Sequence, residues 1–117
     1  MPSRLRILLI AAALVVSCAG NGSSTIGPPS TTTVAIKDNF FDPANVTVSA
    51  GSTILWVHQG FANHTVTSGS PASITGLFDS PNLTTGQTFQ FTFAQPGTIP
   101  YFCRVHGASM SGTITVQ

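Results

Sequence analysis

Charge is nearly absent from this chain of 117 residues: four Lys or Arg, three acidic residues, 6% charged overall. Two of the four cations, Arg4 and Arg6, lie at the extreme N-terminus, leaving Lys37 and Arg104 against Asp38, Asp42 and Asp79 in the rest. That excludes a basic patch for nucleic acid and a charged face for long-range steering. Cysteine and methionine are scarce too, with only Cys18 and Cys103, and only Met1 and Met110. No segment sustains a 3.6-residue apolar period, so a helical bundle is excluded. The longest apolar run, Ile7 to Val16, falls short of the about 20 residues a membrane-spanning helix needs.

That run has a different use. Arg4 and Arg6 precede it and the small residue Ser17 follows, the layout of a secretory signal. Val15-Val16-Ser17-Cys18 resembles the bacterial lipobox, in which the cysteine is acylated and becomes the first mature residue. Residues 1–17 are therefore expected to be a lipoprotein-type signal peptide and Cys18 the lipid anchor. The protein is then exported to the periplasm or cell surface and tethered to a bacterial membrane. The mature chain carries two cations against three anions, net −1. With Cys18 lipidated, Cys103 is a lone thiol in an oxidising compartment, a liability unless something occupies it. Met110 is the one methionine left after cleavage.

Residues 18–32 are mostly Gly, Ser, Thr and Pro and read as a flexible tether. From Thr33 to Gln117 the pattern is one strand after another: Val34/Ile36, Val46/Val48, Thr53–Val57, Phe89/Phe91/Phe93 and Ile114/Val116. Turn chemistry punctuates them at Asp42-Pro43, Ala50-Gly51, Ser80-Pro81-Asn82, Thr85-Gly86 and Pro96-Gly97. About seven short strands predict an all-β domain, an antiparallel Greek-key two-sheet β-sandwich. Trp56, Phe40, Phe41 and the three alternating Phe are the expected core. Gln59–Asn63 and Ser68–Leu77 are the expected loops, and His58 is expected to face solvent at a strand end.

The chemistry concentrates in Tyr101-Phe102-Cys103-Arg104-Val105-His106-Gly107-Ala108-Ser109-Met110. Cys103 is expected to end a strand, and Gly112–Val116 to begin the next, with a ligand loop between. One further histidine, His64, sits upstream in Asn63-His64-Thr65-Val66. Two imidazoles, a thiolate and a thioether are the donors of a mononuclear type 1 copper site. Cu(I) prefers soft sulfur and low coordination, whereas Cu(II) prefers nitrogen and square geometry. A rigid donor set lying between those preferences lets Cu(I) and Cu(II) interchange with little movement. Arg104, next to a strand ligand, is expected to point away from the site.

These segments resemble the plastocyanin-like blue copper proteins, the cupredoxins. The likeness rests on the aromatic-Cys-x-x-His loop, the trailing Met followed by Gly and a last strand, and the upstream Asn-His-Thr-Val. It extends to Lys37-Asp38-Asn39-Phe40-Phe41-Asp42-Pro43 and Val46–Gly51. The resemblance implies that His64, Cys103 and His106 are equatorial ligands and Met110 the axial one. It also implies that redox protein partners dock near His106, through an apolar patch to which Gly107, Ala108 and Pro100 contribute. Two features depart from the family. Three residues separate His106 from Met110, where plastocyanins have four and amicyanins two. Thr65 stands where many relatives carry an Asn that ties the two ligand loops together. The implied function is single-electron transfer by a monomer; a copper carrier or buffer is the alternative. An enzyme is not expected, since a second copper needs more His or Cys than the mature chain holds.

Overall fold

The computed structural model describes residues 27–117. The expected signal peptide, Cys18 and residues 19–26 of the expected tether lie outside the described residues. Nine strands make up the domain: β1 (Thr31–Lys37), β2 (Phe40–Asp42), β3 (Asn45–Val48), β4 (Ser52–His58), β5 (Thr67–Ser70), β6 (Ser73–Asp79), β7 (Thr88–Phe93), β8 (Gly97–Cys103) and β9 (Gly107–Val116). They form two sheets, of order β2-β1-β4-β7 and β3-β9-β8-β5-β6. The expected all-β two-sheet sandwich is therefore present, with one refinement. Two pairings, β1 with β4 and β3 with β9, are parallel, so each sheet is mixed. The reason is topological: the chain leaves the first sheet after β2, lays β3 in the second, and returns with β4 running alongside β1.

Period-two alternation fills the space between the sheets. Along β4, Ser52, Ile54, Trp56 and His58 all point inward. Trp56 is fully buried and meets Phe78, Tyr101 and Phe89 at ring-centroid distances of 5.5, 5.5 and 5.8 Å. Burying each such aromatic contributes on the order of 2–3 kcal/mol. The same alternation corrects two expectations. His58 is buried rather than solvent-facing, because it shares the parity of Trp56. Phe40 is half exposed while Phe41 is buried, since successive residues of β2 face opposite ways.

Three boundaries also shift. β1 begins at Thr31, because Thr31 and Thr32 pair with Thr53 and Ile54, so two residues of the expected tether are sheet. The expected loop at Ser68–Leu77 falls largely within β5 and β6; its Ser, Thr and Gly residues disguise a hairpin that pairs with β8 through Thr67 and Ser68. Most consequential is β9, which starts at Gly107 rather than Gly112, leaving only Arg104–His106 as the turn. Phe102 faces Ser111, yet Cys103 faces Gly107. Ala108, Ser109 and Met110 are thus extra residues bulged out of the ladder, and Met110 ends fully buried.

Candidate metal centre

Cys103 closes β8 and is itself fully buried. The chain turns at once, with the His106 N–H donating to the Cys103 carbonyl at 3.2 Å and Gly107 adopting a left-handed φ of 66°. This brings His106, half buried, back over the sulfur: Nδ1 lies 3.6 Å from Cys103 Sγ. His64 comes from between β4 and β5. It heads no strand but forms an isolated bridge with Leu83, donating at 3.1 Å and accepting at 2.8 Å. Those two bonds fix its backbone, and its ring Nδ1 lies 3.7 Å from Cys103 Sγ. The ligating atoms of His64, Cys103 and His106 all lie within 4.8 Å of one another. Among the described residues theirs is the only such grouping of His, Cys, Asp and Glu. Met110 lies in the same buried apolar cluster as Cys103.

The spacing fits one metal ion. Bonds of about 2.0–2.1 Å to imidazole nitrogen and about 2.3 Å to thiolate sulfur put those donors roughly 3.5–3.7 Å apart, at angles between tetrahedral and trigonal. A cysteine sulfur with two imidazole nitrogens this close together is a donor set for copper rather than for a hard cation.

Around the donors the structure supplies what the sequence left open. Thr65 does the tying work: its hydroxyl accepts the Arg104 N–H at 2.8 Å, and its own N–H donates to Cys103 Sγ at 3.4 Å. One residue thus links the His64 segment to the Cys103 turn on both sides. Arg104 points away from the site, as expected, toward the Ser80 carbonyl and Asp79.

Asp38 was not singled out from the sequence. A turn with Asn39 in the left-handed region (φ 74°) presents its carboxylate to His64 Nε2 at 2.9 Å. A carboxylate only accepts, so Nε2 carries the proton and Nδ1 is left free to ligate. The Phe61 and Ala62 amides donate to the same carboxylate at 2.9 and 3.0 Å. The bond from His64, then those from Ala62 and Phe61, hold the Asp38 carboxyl down to about 2, with partial burial opposing. Gly60 leaves room for it; a Cβ there would collide with the carboxylate. His58 donates from Nε2 to the Ala62 carbonyl at 2.7 Å, its ring 5.0 Å from that of His64.

A mixed β-sandwich that brings buried His64 and Cys103 together with half-buried His106, with Met110 in the same buried cluster as Cys103, defines a mononuclear metal-binding protein. The cupredoxin-like domain model matches residues 6–116, and the chain belongs to that family. A plastocyanin of Scenedesmus fuscus is 39% identical over 85 residues, covering 66% of this chain and 86% of the alga's protein. Among solved structures, a purple cupredoxin from Nitrosopumilus maritimus superposes with a TM-score of 0.67 at 26% identity, over 74% of this chain and 99% of that one. A copper-containing nitrite reductase from Thermus scotoductus superposes at 0.65 and 25% identity over 82% of this chain, but only 24% of the reductase.

Proposed function

We propose that this chain is a type 1 copper protein that carries single electrons between redox partners outside the cytoplasm. His64, Cys103 and His106 are the equatorial ligands and Met110 the axial one. The observation that carries this reading is the convergence of the three donor atoms within 4.8 Å. Bound copper supplies the Cu(II)/Cu(I) couple. The chain's part is to hold the donors still: the His64–Leu83 bridge, the Thr65 link and the short Arg104–His106 turn all resist rearrangement.

His106 is the partly exposed ligand and marks the face toward partners. Val105, next to it in the chain, and Phe61, three residues before His64, are exposed apolar residues. Pro100, expected in the apolar patch, is exposed and pairs with Thr113, three residues before Cys103 on the same strand. A nearly uncharged domain docks through apolar contacts with weak salt dependence. The protein acts as an exported monomer held at a membrane by lipid on Cys18. A mature mass without diacylglycerol removes that tether. The carrier reading is preferred over an enzyme because the chain has only three His, and one Cys besides Cys18. The reductase it resembles is about four times the matched length.

The test is titration of the metal-free protein with Cu(II). An intense visible thiolate-to-copper charge-transfer band is expected, lost in Cys103→Ser. A colourless adduct, or colour surviving that substitution, refutes the site. Reversible voltammetry with fast self-exchange is expected of a carrier; sluggish exchange would leave copper buffering as the role.

A further inference from the structure

We propose that Asp38 is a positioning residue of the copper site: it fixes His64 in the tautomer that leaves Nδ1 free to ligate, and its negative charge biases the site toward Cu(II). This rests on the His64 assignment above and extends it to a residue 26 positions upstream. His64 Nε2 lies 2.9 Å from Asp38 Oδ1, with His64 fully buried. Without an acceptor there, the neutral ring would divide between two tautomers, one of which puts a proton on the ligating nitrogen. A ligand histidine held by a carboxylate is also the more basic donor, and such partners typically govern metal affinity by about 10–100-fold.

The placement is built into the fold. Parallel pairing of Ile36 with His58 brings the end of β1 level with the end of β4. Asp38 then lies over Gly60, the position where any Cβ would strike its carboxylate. The same carboxylate accepts the Phe61 and Ala62 amides, which hold it in place beside His64. It carries a full negative charge toward the buried imidazole, and a fixed anion stabilises the more highly charged metal state.

Two substitutions in the full-length protein separate the parts. Asp38→Asn keeps an oxygen acceptor for His64 and the amides but removes the charge. Asp38→Ala removes both. The first readout needs no copper: nitrogen-15 shifts of the His64 ring in the metal-free protein. Wild type is expected to show the Nε2–H form alone, and Asp38→Ala a mixture with about 10–100-fold weaker Cu(II) binding. Asp38→Asn is expected to fold, bind copper and favour Cu(I) over Cu(II) about tenfold more than wild type, a rise of roughly 59 mV for a one-electron couple. Should the Asn present its NH2 to His64, the ring switches to Nδ1–H and Cu(II) binding falls, which also shows tautomer control. The proposal is overturned if wild-type His64 carries its proton on Nδ1. It is equally overturned if Asp38→Asn leaves tautomer, affinity and potential unchanged, since a mere loop staple would do so. A wild-type protein that takes up Cu(II) without colour instead defeats the copper reading, independently of the tautomer result.

Discussion

Replacing Thr65 by Val tests whether one hydroxyl holds the two ligand segments together. Val has nearly the shape of Thr, so packing at this buried position is preserved while the oxygen is lost. The Arg104 N–H, which donates to that oxygen at 2.8 Å, is left without its acceptor, and the 3.1 Å contact with the Thr67 hydroxyl disappears. Stranding the donor of this part-buried bond, together with losing the Thr67 contact, costs on the order of 1–3 kcal/mol. At about 2 kcal/mol, a domain of this size is expected to melt roughly 10 °C lower. Thr65→Ser keeps the hydroxyl and is expected to stay within about 1 kcal/mol of wild type. Arg104→Ala is the informative contrast, because it leaves the backbone N–H and its bond to Thr65 intact. It removes an ion pair to Asp79 at 3.2 Å between side chains that are 44% and 45% exposed, with bonds to the Thr67 hydroxyl at 3.3 Å and the Ser80 carbonyl at 3.2 Å, so it is expected to cost about 1 kcal/mol. Thermal unfolding of the metal-free variants measures all three. If Thr65→Val melts with wild type, or Arg104→Ala falls further than Thr65→Val, the tie does not run through the hydroxyl.

Met110→Leu is expected to keep the copper band and stability within about 1.5 kcal/mol of wild type, as a volume-conserving swap, and to raise the potential by removing a donor; an unmoved potential in voltammetry means that Met110 does not ligate. Gly60→Ala is expected to destabilise the domain by about 1–3 kcal/mol, because the new methyl displaces the Asp38 carboxylate. Denaturant melts on that variant check it; wild-type stability would mean that Asp38 has room to move. Burial pushes the Tyr101 hydroxyl up to about 12, against about 10 when unfolded. Only the unfolded chain then ionises as pH rises past 10, so on the order of 3 kcal/mol of stability drains away between pH 10 and 12. Tyr101→Phe is expected to flatten that decline, and an equally steep fall in the variant assigns it to other groups.

What the sequence revealed and what it hid divide along a physical line. Cys103, His106, Met110 and His64 were legible because their residue types are rare here and three of them fall within eight positions, so chemistry alone singled them out. The alternation that predicted the sandwich also held the answer for His58, which sits two residues beyond Trp56 on the same strand and must share its inward face. Local pattern could not reveal register. Asp38 reaches His64 only because β1 and β4 run parallel with Ile36 opposite His58, a pairing set by the path of the chain between the sheets. The three-residue gap before Met110 was likewise ambiguous until β9 proved to start at Gly107, with the surplus residues bulged so that the thioether turns inward. Both hidden features bear on the candidate site: one places a carboxylate on His64, the other buries the Met110 side chain. Changes of potential among chains with the same four donors are therefore to be sought in strand register and bulges, where an acid 26 residues from its histidine becomes that histidine's partner.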